Sequence, residues 1–73
     1  MEKQELLEYL ASAGTSDAME AASVFDVTYA TAAMAFLRLS RQGLIKRYID
    51  PESGVYWYCL SARGRARLEF FHS

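Results

Sequence analysis

A single cysteine, Cys59, rules out an internal disulfide in this chain of 73 residues. With only one histidine, His72, the chain also falls short of the roughly four ligands of a structural zinc site. Cys59 therefore reads as a small packing hydrophobe, and His72, beside the C-terminal residue, as a solvated chain end. No metal and no cofactor is expected. No apolar run approaches the roughly 20 residues that cross a bilayer. The opening Met1-Glu2-Lys3-Gln4-Glu5 lacks the basic region and apolar block of a secretion signal. These absences point to a cytoplasmic protein that does not enter a membrane. A glycine-rich phosphate loop and a nucleophile–base pairing are missing too, so no enzyme is expected. Glu2, Glu5 and Glu8 read as exposed charge on a helix rather than as an acid–base pair. So short a chain leaves little room for a small-molecule site inside one subunit.

What is present is apolar and aromatic: hydrophobic residues make up 52% of the chain and aromatic ones 14%. That is far too hydrophobic for a disordered segment. With no repeat and no linker, residues 1–73 are expected to form one domain. A net charge of −1 argues against a generic polyanion binder, but the charge is segregated. Residues 1–37 hold one base and six acids, whereas residues 38–73 hold seven bases and three acids. The basic C-terminal half keeps a nucleic-acid partner open.

Hydrophobic periodicity and local signals give the element order. Leu6, Leu7 and Leu10 share one stripe of a helix over about 2–13, which Gly14 ends. Ser16 is the expected N-cap of a second helix over about 17–25, with Met19, Ala22 and Phe25 inward. Asp26-Val27-Thr28 is a break, and Thr28 caps a third helix that runs to about Gln42, with Ala32, Phe36 and Leu39 inward. Gly43 supplies the left-handed stop. Strand formers over 44–50 and 55–60 flank the turn Asp50-Pro51-Glu52-Ser53-Gly54, which makes a β-hairpin. Ser61 caps a last helix toward Phe71.

Three stretches carry a family resemblance: Met19-Glu20-Ala21-Ala22 through Phe25-Asp26-Val27-Thr28; Ala32, Phe36 and Leu39 followed by Gly43-Leu44-Ile45-Lys46-Arg47; and Tyr58-Cys59-Leu60-Ser61-Ala62-Arg63-Gly64. In this order and spacing the sequence resembles the winged helix-turn-helix superfamily, in particular small regulators of the MarR, PadR and ArsR kind. The resemblance implies a mainly α fold with a small β-hairpin (α1-α2-α3-β-hairpin-α4). It also implies double-stranded DNA as partner and work in transcription regulation.

In such a domain the third helix enters the major groove. The candidate nucleic-acid contacts are then Thr28, Tyr29 and Thr31 near its start, Arg38 and Arg41 toward its end, and Lys46 and Arg47 at the base of the wing. The helical period places Ala30, Met34 and Leu37 on the outward face. These residues cannot hydrogen-bond base edges, although they can touch thymine methyl groups. Asp50 and Glu52 at the wing tip would repel DNA. An exposed apolar stripe also suits a partner surface, most cheaply a second copy of the chain. Trp57 would join it as an interface anchor, as a stacking platform for single-stranded bases, or as a residue lying against Phe70 or Phe71 of the last helix. The alternative function is therefore protein interaction or homodimerisation on a fold that has lost base readout. Arg63, Arg65 and Arg67 read equally as a solvated face or as part of such a surface.

Overall fold

A computed structural model describes residues 1–72, with His72 described by its backbone alone. The expectation for the His72 side chain therefore lies outside the described residues. The elements are α1 (Lys3–Ala13), α2 (Ala18–Phe25), α3 (Tyr29–Arg41), β1 (Ile45–Ile49), β2 (Tyr56–Leu60) and α4 (Ala62–His72). No described helix is long and apolar enough to cross a membrane.

The helix boundaries follow local hydrogen bonding. Asp17, not Ser16, caps α2: its carboxylate accepts the Glu20 N–H at 2.7 Å. Ser16 is withdrawn from that task by the sheet. Its N–H donates to the Tyr58 carbonyl at 3.0 Å and its carbonyl accepts the Tyr58 N–H at 2.8 Å, an isolated antiparallel bridge along β2. The buried Ser16 hydroxyl donates to the Asp17 carbonyl at 2.8 Å and meets the Tyr9 hydroxyl at 2.7 Å. Asp26 ends α2 in the left-handed region at φ 55°. Thr28 caps α3 as expected, accepting the Thr31 N–H at 3.1 Å.

β1 and β2 pair antiparallel, with Ile45 opposite Leu60, Arg47 opposite Tyr58 and Ile49 opposite Tyr56. The core gathers Leu6, Leu7 and Leu10 of α1, Ala18, Ala21 and Ala22 of α2, Ala32, Phe36 and Leu39 of α3, and Leu44, Ile45, Tyr58, Leu60 and Leu68. Phe36 and Tyr58 stack at its centre, with ring centroids 4.4 Å apart. Two inward assignments for α2 change. Met19 is exposed, and Phe25 is only half-buried, its ring set edge-on to Tyr9 at 5.5 Å. The inward face of α2 is built of alanines instead, and the lack of bulk lets it lie close against α3.

Ser61 and Gly64 lock α4 onto the hairpin. The Ser61 hydroxyl accepts the Gly64 N–H at 3.0 Å, which caps the helix, and donates to the Gly43 carbonyl at 2.6 Å. Gly64 is buried, and a Cβ there would fall on the Leu44 carbonyl oxygen, 3.0 Å from the carbonyl carbon and 3.3 Å from Leu60 Cδ2. Gly64 is thus needed for close approach, whereas Gly43, at φ +75°, is needed for its backbone conformation.

Candidate nucleic-acid interface

Helix α3 presents two faces of opposite character. Ala32, Phe36 and Leu39 are buried, at 0%, 0% and 3% exposure, while Met34 on the far side is 49% exposed. Ala30, Thr31, Arg38 and Arg41 are exposed beside Met34. Leu37 departs from the expected pattern: it lies at the border of the stripe and is half-buried. The outward surface of α3 is therefore narrower and less apolar than the sequence period suggests. Ala30, Thr31, Met34 and Arg38 line one shallow depression on it.

The hydroxyl groups at the helix start are largely committed. Thr28 donates its proton to Thr31 Oγ1 at 2.9 Å and accepts the Thr31 N–H with the same oxygen. Thr31 keeps its own hydroxyl proton for a ligand. Arg38 and Arg41 lie in the last turns of α3, where a cation also suits the helix dipole. Arg38 additionally borders Met1 and Lys3 of the N-terminal segment, so cationic groups collect at that end.

The wing separates its two basic residues. Successive strand residues face opposite sides, so Arg47 shares a face with its cross-strand partner Tyr58, while Lys46 shares the other with Cys59. The Arg47 guanidinium lies over the Tyr56 ring, 4.5 Å from its centroid, a cation–π contact that holds the side chain flat. Burial pushes the Tyr58 phenol above its usual range, and the nearby Arg47 partly offsets this. Arg47 thus lies on the side of the wing that carries Tyr56 and Tyr58, and Lys46 on the other.

One feature beside the wing was not anticipated. A hollow of about 460 Å³ is lined by Asp17, Met19, Tyr29, Val55, Tyr56 and Tyr58, among others. It opens between the start of α2, Tyr29 at the start of α3 and the wing tip. Alternation puts Tyr56 on the core-facing side of β2 with Tyr58 and Leu60, yet Tyr56 is exposed while the other two are buried. Tyr56 and Met19 are the neighbours of the candidate site that sequence reasoning missed. Alternation alone places Tyr56 on the face of Tyr58, but it does not say where the helices stop. Trp57, on the opposite face, is half-buried in a shallow depression with Thr15, Tyr48 and Pro51. The acidic tip is ordered by itself: Asp50 accepts the Glu52 N–H at 3.0 Å. That bond and the Ser53 hydroxyl hold its carboxyl below the usual range. Among the described residues, no cluster of three or more His, Cys, Asp or Glu side chains could hold a metal.

No protein-family model matches the chain, and no curated protein matches it in sequence. Solved structures do match. A MarR variant from E. coli in complex with operator DNA superposes with a TM-score of 0.88 at 21% identity, covering 96% of this chain and 51% of that one. A MepR variant from a multidrug-resistant S. aureus clinical isolate gives 0.88 at 24% identity, covering 96% and 52%. A MepR-like protein complexed with pseudoligands gives 0.86 at 29% identity, covering 92% and 48%. The chain therefore spans about half the length of the structures it matches. With helix, turn, helix and wing in the same arrangement, its fold is that of the winged-helix domain of MarR-type regulators.

Proposed function

We propose that this chain is a DNA-binding module of the transcription-regulator type, working in the cytoplasm by binding rather than by catalysis. The observation that supports the reading is the set of exposed cationic groups carried by α3 and by the wing. Arg38 and Arg41 edge the outward face of α3, and Arg47 is held over Tyr56 on the wing. Guanidinium groups so placed suit backbone phosphates, which fix register without reading sequence. The fold shared with an operator-bound MarR supports the same use of α3. Lys46 contributes a more distant phosphate contact from the outer face of the wing.

Fluorescence anisotropy with labelled duplex DNA tests the reading. Four phosphate contacts imply a salt slope near −3.6, or about a 150-fold loss of affinity between about 50 and 200 mM salt. Arg41→Ala should weaken binding to all sequences alike and lower the slope by about 1. Absence of binding at micromolar protein and low salt would overturn the proposal.

The exposure of Met34 and the acidic wing tip favour a second reading, in which the outward face of α3 pairs with another copy of the chain. Met34→Glu with light scattering separates the two. Pairing predicts that a dimer falls to a monomer, whereas the DNA reading predicts unchanged mass and weaker duplex binding.

A further inference from the structure

Resting on the DNA-binding reading, we infer that the outward face of α3 recognises the C5 methyl groups of pyrimidines in the major groove, thymine above all. The residues that would meet base edges are Ala30, Thr31 and Met34, while Arg38, at the border of the same depression, reaches toward phosphate. Ala30 and Met34 are one helical turn apart and expose only carbon and sulfur. Met34 has no amide or charge with which to read guanine or adenine, and Ala30 has none either. The major-groove edge of thymine offers one hydrogen-bond acceptor, O4, beside one methyl group. The protein offers the complement: one remaining hydroxyl proton, on Thr31, beside two apolar side chains. The Thr28 hydroxyl is closed to this role because it already donates to Thr31 and accepts from its N–H. The arginines flanking the stripe supply the attraction to phosphate that brings an otherwise apolar surface to DNA.

A methyl group removed from water at each of two contacts raises affinity about fourfold apiece, or about 15-fold together. The phosphate contacts stay the same, so the salt slope should not change. The test measures binding of the whole chain to duplexes of about 20 base pairs. One is alternating adenine–thymine, and a second replaces every thymine with uracil, which deletes the methyl and keeps the hydrogen-bonding edge. A third is alternating guanine–cytosine, and a fourth carries 5-methylcytosine instead.

The inference requires about 15-fold tighter binding to the thymine duplex than to the uracil duplex, with equal salt slopes. It also requires a gain of several fold on methylating cytosine. Met34→Ala should reduce the ratio of thymine-duplex to uracil-duplex affinity about fourfold. Met34 lies on the surface, so this change does not threaten the fold. Equal affinity for the thymine and uracil duplexes overturns the inference and leaves the DNA-binding reading intact. A thymine preference with no gain from 5-methylcytosine also overturns it, because groove shape would then be the cause. Failure to bind any of the four overturns both.

Discussion

Gly64→Ala is a substitution for which helix propensity and packing predict opposite signs. Within a helix, alanine is normally more stable than glycine by about 0.5–1 kcal/mol. Here the new methyl would be driven onto the Leu44 carbonyl oxygen. The obstacle is backbone, fixed by its own bond from the Ser61 N–H at 3.1 Å. Overpacking of this kind costs about 1–3 kcal/mol. Relief requires α4 to retreat, which stretches the Ser61 bonds to Gly43 and Gly64, each contributing about 0.5–1.5 kcal/mol. It also loosens Leu68, the residue of α4 in the core. The net loss should be about 3 kcal/mol, a large share of the stability of so small a domain. At about 4–8 °C per kcal/mol for this size, the melting temperature should fall by about 12–24 °C. Thermal unfolding followed by circular dichroism measures it. Ala66→Gly, at an exposed site two residues along, is the control and should cost only about 1 kcal/mol. A Gly64→Ala protein as stable as the parent would refute the close-approach argument and leave Gly64 without a structural role.

Ser16→Ala should cost about 1–2 kcal/mol in urea unfolding, because it strands the partly buried Tyr9 hydroxyl. An equal loss from Tyr9→Phe and no further loss in the double variant would confirm a shared bond. Asp17→Ala should cost about 1 kcal/mol through loss of the α2 cap; if Ser16→Ala frayed α2 and Asp17→Ala did not, the cap assignment would be wrong. Asp50 has its carboxyl pKa lowered by folding, so its contribution to stability is complete above the ordinary aspartate range, near pH 4. It fades as the pH falls through the lower folded value. In an NMR titration the Asp50 carboxyl and the Glu52 amide should move together with a shared midpoint below the ordinary aspartate value, and a midpoint at or above that value would contradict the bond.

Local physics made much of this fold legible in the sequence. The inward face of α3 follows from the spacing of Ala32, Phe36 and Leu39, since a 3.6-residue period is a property of the backbone. Thr28 and Ser61 were legible as caps because a cap reaches only three residues ahead. The turn at 50–54 and the stop at Gly43 follow from residues suited to unusual backbone angles. The identity of the α2 cap was not legible, because Ser16 and Asp17 are both good caps and a strand more than forty residues away claims one of them. Nor was the inward face of α2, where alanines won over Met19 because a helix chooses its buried side by what approaches it. The sequence alternation set Lys46 and Arg47 on opposite faces, but only the docking of the hairpin, which buries Tyr58, decided that Arg47 shares the core-facing side. Gly64 is the clearest division: its place in a motif belongs to the sequence, while the reason for it, a carbonyl twenty residues earlier in the chain, exists only after the helices and the wing have packed.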